Sequence, residues 1–122
     1  MSAPTILVTD DDEAIREVVQ MTLEIIAGWS VLTAASGAEA VEVARAHQPD
    51  AVLMDMMMPG MNGLEATAAL AADESTRHIP VVLLTAKAQV DDAPGVRGVI
   101  AKPFAARELP AQVAELLGWP AP

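Results

Sequence analysis

The 122-residue chain contains no cysteine and no tyrosine, one phenylalanine and two tryptophans, and only 7 lysines and arginines against 17 acids. Without cysteine, disulfide frameworks, cysteine-ligated zinc, iron–sulfur clusters and thiol nucleophiles are excluded. The shortage of bases leaves a formal charge of −10 at pH 7. Such a charge argues against direct nucleic-acid binding as the main task and favours metal cations or basic partner surfaces. No basic stretch followed by an apolar segment opens the chain, and no apolar run is long enough to span a bilayer. The expectation is a soluble, unprocessed, cytoplasmic chain with no membrane contact. At 122 residues it fits one domain, residues 1–122, with a real core and no separate output module.

What is present is a regular alternation. Thr5-Ile6-Leu7-Val8-Thr9 reads as a strand buried on both faces and stops at Asp10-Asp11-Asp12. From Glu13 to about Ala27, Ile15, Val18, Val19, Thr22, Leu23 and Ile26 recur at helical spacing, and Gly28 ends the pattern. Trp29–Ala34 is a second strand. Ser36-Gly37-Ala38-Glu39 matches a capping box for a helix running to His47, with Pro49 beyond it. Ala51–Met54 is a third strand that delivers Asp55, and Met56-Met57-Met58-Pro59-Gly60-Met61 is a loop. Asn62 can cap a helix over Gly63–Ala72 with Leu64, Ala68 and Leu70 facing inward. Ile79–Leu84 and Val96–Ala101 are further strands, ending at Thr85 and Lys102, and Ala105–Leu117 is a last helix despite Pro110 in its first turns. Strands alternating with helices predict a doubly wound α/β fold, a parallel sheet with helices on both faces.

In such a sheet functional groups collect at the carboxyl ends of the strands. There the sequence puts Asp10 and Asp11, then Asp55, Thr85 and Lys102. Singly, each is an ordinary turn or cap residue. Together they are chemically complementary. Three converging carboxylates need a cation among them, and oxygen ligands without histidine or cysteine favour Mg²⁺. A metal, a lysine and a hydroxyl are the set that neutralises the oxygens of a phosphoryl group in transfer. Asp55, central in the sheet and followed by a loop, is the carboxylate placed to attack.

These residues resemble a response-regulator receiver domain, the family of the bacterial chemotaxis regulator. The matching pieces are Ile6–Asp12, Asp55–Gly63, Val82–Ala86 and Lys102-Pro103-Phe104, in order along nearly the whole chain. The resemblance implies a five-stranded sheet of flavodoxin-like order 2-1-3-4-5. It implies Asp55 as phosphoacceptor, with Mg²⁺ bound by Asp10, Asp11, Asp55 and the backbone carbonyl of Met57. Thr85 would bond a phosphoryl oxygen, and Lys102 would pair first with Asp55 and then with its phosphate, next to a Lys102-Pro103 bond that is often cis. The phosphoryl donor would be a sensor histidine kinase or phosphotransfer protein. The chain would catalyse only its own phosphorylation and dephosphorylation, as a monomer or weak homodimer.

Two departures stand out. Receivers usually carry an aromatic residue three positions before the lysine, where this chain has Val99. The segment from Thr85 to Lys102 is also short for the family, which predicts a shortened or irregular fourth helix within Ala86–Arg97, with Lys87 exposed. Both fall on a face receivers commonly use for output, so the signal is expected to be read elsewhere, for instance at the first helix and the Asp55 loop. Two other functions compete: a phosphate-independent receiver-shaped interaction domain, which usually loses the acids or the lysine, and a small Mg²⁺-dependent aspartyl-phosphate phosphatase. The phosphatase would need a general acid two positions after Asp55, where Met57 stands. The methionines around Asp55 are read as core and loop residues rather than a copper site, and His47 and His78 as surface or cap residues.

Overall fold

Aliphatic and β-branched residues with alternating direction make the five strands of the computed structural model, which describes residues 3–86 and 93–122. They are β1 (Thr5–Thr9), β2 (Ser30–Ala34), β3 (Ala51–Asp55), β4 (Val81–Thr85) and β5 (Val96–Ala101). All neighbours pair in parallel, in the order β2-β1-β3-β4-β5 that the resemblance implies. β3 and β4 are buried along their whole length. On one face Ile6, Val8, Leu53, Val82 and Leu84 pack against Val19 and Leu23 and against Leu109, Val113 and Leu117 of the last helix. On the other, Leu7, Val52, Met54, Val81 and Leu83 meet Ala40, Val41, Ala44, Ala66 and Leu70. Helices on both faces therefore close two cores, as a parallel sheet requires.

Helix ends follow the capping residues closely. Asp12 accepts from the amides of Ala14 and Ile15 to start α1 (Glu13–Thr22). The chain then widens into one π turn, Leu23–Ala27, and ends at Gly28 with φ 71°. This wider turn, where a continuous α-helix was expected, keeps Leu23 fully buried while Trp29 enters the core. In α2 (Gly37–His47), Ser36 caps the Glu39 amide, and Glu39 in turn accepts from Ala35, one residue earlier than the usual reciprocal bond. Asn62 and Glu65 form the full capping box of α3 (Gly63–Ala72). Its buried positions are Gly63, Ala66, Thr67 and Leu70; Leu64 is half-buried and Ala68, expected inside, is exposed. The i, i+3, i+4, i+7 stripe from Gly63 faces the sheet, which turns Ala68 outward.

The last helix, α4 (Leu109–Leu117), starts later than Ala105, after a 3₁₀ turn at Ala106–Glu108. Pro110 accordingly lies in its first turn, where a missing N–H costs nothing, so the proline marks the start of the helix. The expected fourth-helix stub falls largely on residues 87–92, which lie outside the described residues, as does the expectation for Lys87. Ala93–Gly95 form a turn with Gly95 at φ 86°. No helix among the described residues is long and apolar enough to cross a membrane.

One ion pair joins the α2 and α3 ends: Arg45 Nε donates to Asp73 Oδ2 at 2.6 Å. The amide and hydroxyl of Ser75, and then Arg45, hold the Asp73 carboxyl down to about 2. A carboxyl whose folded value lies below its unfolded one stabilises the fold above the unfolded value and loses that contribution as pH falls through the folded one. Asp73→Asn is therefore expected to lower the thermal midpoint at pH 7 but not near pH 2. Paired melts of the two proteins across pH 2–7 check this; a constant difference across the range would contradict it.

Candidate functional site

Strand order brings the polar strand ends together. Asp10 follows β1, Asp55 ends the adjacent β3, Thr85 ends β4 and Lys102 follows β5, all at the carboxyl edge of the sheet. Asp10, Asp55 and Thr85 are buried, with 2%, 3% and 2% of their surface exposed, whereas Asp11 is exposed. One carboxylate oxygen from each of Asp10, Asp11 and Asp55 lies within 4.8 Å of the others. At an effective dielectric constant near 20, like charges at that distance repel by about 3 kcal/mol per pair.

Several contacts hold this arrangement. Lys102 Nζ donates to Asp55 Oδ1 at 2.6 Å from a partly exposed position. The Lys102 amide donates to the Thr85 carbonyl at 2.8 Å, and the Met56 amide to the Leu84 carbonyl at 2.9 Å, so the loops leaving β3 and β5 are both anchored on β4. The Lys102-Pro103 peptide is cis. After Asp55 the chain turns sharply into α3, and the Gly63 amide donates back to the Met56 carbonyl at 2.9 Å. A β-carbon on Gly63 would lie 2.5 Å from the Asp55 carbonyl oxygen. Any side chain there would push this loop away from Asp55.

Asp10 is the most constrained of the acids. Its amide donates to the Ala34 carbonyl at 3.2 Å, its Oδ1 accepts from the Asp12 amide at 2.9 Å, and its carbonyl accepts from Arg16 Nη1 at 2.8 Å. Its Oδ2 is buried with no hydrogen-bond partner. Burial pushes the Asp10 carboxyl above the usual carboxylate value; the Asp12 amide opposes this, and the Asp55 charge adds to it. A buried orphan oxygen among three converging carboxylates, with no nitrogen or sulfur ligand, fits a hard, oxygen-preferring divalent cation such as Mg²⁺.

The structure thus assembles Asp10, Asp11, Asp55, Thr85 and Lys102 as the sequence predicts. Met57 lies in the adjoining loop with its side chain 73% exposed. Met54, Met56 and Met58 are buried in the core on the α2 and α3 side, as expected of core-filling residues. His47 and His78 are exposed, and Val99 is half-buried against the same core. Two features were not legible from spacing. One is the Arg16 contact. The other is an apolar groove between Ile15 and Val18 of α1 and the Pro103-Phe104 segment, with Lys102 at its lining. Ile15 and Val18 are 37% and 51% exposed, although helical periodicity marks them as part of a packed face.

A doubly wound sheet with three acids, a threonine and a lysine on its carboxyl edge is the arrangement that the resemblance to a receiver domain implies. The chain matches the response regulator receiver domain over residues 6–114 and belongs to that family. It is 38% identical over 122 residues to the phosphate regulon transcriptional regulatory protein PhoB of Pseudomonas aeruginosa, covering 96% of this chain but 53% of PhoB. The chain therefore spans about half the length of that regulator. The chemotaxis protein CheY4 of Vibrio cholerae superposes with a TM-score of 0.86 at 30% identity, covering 94% of this chain and 99% of CheY4. The receiver domain of the Pseudomonas aeruginosa sensor histidine kinase PA1611, solved with a magnesium ion coordinated in its active-site cleft, gives 0.83 at 31% identity over 96% of this chain and 99% of that one.

The burial of Asp10, to which the Asp55 charge adds, has a measurable consequence. A carboxyl with a raised folded pKa stabilises the fold at low pH and loses that contribution as pH rises through the folded value, so at pH 7 ionised Asp10 opposes folding. Asp10→Asn, which keeps the Oδ1 acceptor for the Asp12 amide, is expected to raise the thermal midpoint of the magnesium-free protein at pH 7. The gain should fade as pH falls through the raised folded value and be gone by the ordinary carboxylate value of about 4. A calorimetric scan showing no gain at pH 7 would contradict this account of the acidic cluster.

Proposed function

We propose that this receiver domain is a phosphoacceptor of a two-component relay, taking a phosphoryl group onto Asp55 from a phosphohistidine on a sensor kinase or phosphotransfer protein. The observation that carries this reading is the buried Asp55 carboxylate held by Lys102 at 2.6 Å, within 4.8 Å of Asp10 and Asp11 carboxylate oxygens. In the transfer an Asp55 oxygen forms the new O–P bond, the N–P bond of the donor breaks, and the imidazole leaves. Asp10, Asp11, Asp55 and the Met57 carbonyl would hold Mg²⁺, which supplies positive charge to the phosphoryl oxygens. Lys102 follows the charge from carboxylate to phosphate, and the Thr85 hydroxyl donates to a phosphoryl oxygen, shifting the population of two surface conformations. The domain catalyses this transfer and the later hydrolysis on itself alone, since Met57 offers no acid for turning over outside substrates. A cytoplasmic location follows from that role. A phosphate-independent role is disfavoured because every residue of the set is present and assembled.

Intact-mass measurement after incubation with acetyl phosphate and Mg²⁺ tests the assignment. One added phosphate is expected on the wild type and none on Asp55→Asn; no adduct on the wild type, or an equal adduct on the variant, would sink it.

The donor must reach Asp55 from outside, and the apolar groove of Ile15, Val18, Pro103 and Phe104 opens beside Lys102. Burying its apolar surface supplies the docking energy for a donor helix. Val18→Glu is expected to slow transfer from a phosphohistidine donor by roughly ten-fold, the cost of about 1.4 kcal/mol of docking energy, while leaving acetyl phosphate labelling unchanged. Equal loss with both donors would mean that the groove serves the site's chemistry rather than docking.

A further inference from the structure

Arg16 sits on the second turn of α1, where helical periodicity makes it an ordinary solvated residue. Its side chain instead reaches back six positions, and Nη1 donates to the main-chain carbonyl of Asp10 at 2.8 Å in a partly buried contact. That carbonyl belongs to the peptide joining Asp10 to Asp11, a planar unit whose orientation is shared by both residues. We infer that Arg16 is a positioning residue for the acidic pair, clamping this peptide so that the Asp10 and Asp11 carboxylates are held ready for a cation. The inference rests on the metal-dependent reading of the site proposed above.

Three details favour it. First, Arg16 makes no ion pair within 4.0 Å among the described residues; the two ion pairs found there are Arg45–Asp73 and Lys102–Asp55. An arginine bound to the carboxylates would compete with a cation for the same oxygens, whereas one bound to the carbonyl orders the acids and leaves their oxygens available. Second, the other ties on Asp10 come from the main chain: its amide to Ala34 and its Oδ1 from the Asp12 amide. Arg16 therefore supplies the side-chain clamp. Third, Asp11 is exposed, so the direction of its carboxylate depends on the peptide that precedes it more than on packing. Supporting groups of this kind, one step removed from a metal, typically change affinity by about 10- to 100-fold when removed.

The test uses the whole chain as wild type, Arg16→Ala and Arg16→Lys, with two readouts. In the magnesium-free protein, hydrogen exchange of the Asp12 amide reports the order of the Asp10 carboxylate that accepts it. In calorimetric titration, Mg²⁺ alone is the probe. Arg16→Ala is expected to speed Asp12 exchange and to weaken Mg²⁺ binding by roughly ten-fold. Arg16→Lys, which keeps one donor on a flexible stem, should recover part of both. An unchanged Mg²⁺ affinity in Arg16→Ala would overturn the inference, as would a fall in thermal stability with neither readout moved. If the wild type itself failed to bind Mg²⁺, the metal-dependent reading would fall and the inference with it. That result does not depend on Arg16, so the two failures are distinguishable.

Discussion

Like charges gathered in a buried place are the constraint around which this domain is built. β1 and β3 are neighbours in the sheet, so the acids that end them cannot avoid one another. Asp10 and Asp55 are nearly inaccessible to water, and water would otherwise screen their repulsion. The rest of the carboxyl edge answers that repulsion. Lys102 reaches in from the far strand to Asp55, the Asp12 amide and Arg16 tie Asp10 down, and a cation among the three acids would complete the balance.

Such a site needs a scaffold that does not relax, and the sheet supplies it. β3 and β4 are buried from end to end and carry a separate core on each face. Close packing leaves little freedom for the backbone to move the acids apart. Gly63 has the same effect locally, because the α3 start presses against the Asp55 carbonyl with no room for a β-carbon. Beside the site the structure leaves apolar surface uncovered along Ile15 and Val18 of α1 and the Pro103-Phe104 segment, and Met21, Ile25 and Ile26 extend the exposed apolar surface toward the helix's far end. A rigid charged centre thus lies next to an open apolar groove.

Much of this was legible in the sequence. The short apolar runs ending in Asp10, Asp55, Thr85 and Lys102 read as strands from their length, their β-branched residues and the turn signals that bound them, and the caps at Asp12, Ser36 and Asn62 operate as their side-chain chemistry requires. The misreadings share one cause. Ala68 and the start of α4 were assigned from local apolar spacing, whereas the orientation of α3 on the sheet and the place of Pro110 in a first turn depend on packing. Arg16 was passed over because a contact reaching from one helical turn to the end of a preceding strand leaves no periodic trace.

The sequence by itself determined the chemistry: an acidic, cysteine-free chain with strand-end aspartates, a threonine and a lysine of complementary type. It also determined the alternation of strands and helices, because hydrophobic period and capping are local properties. Only the tertiary structure decided which acids meet and how closely. That depends on strand order and register, which arise from long-range pairing. It decided too that part of α1's apolar face stays open beside Lys102, since periodicity marks a face as apolar without saying what covers it.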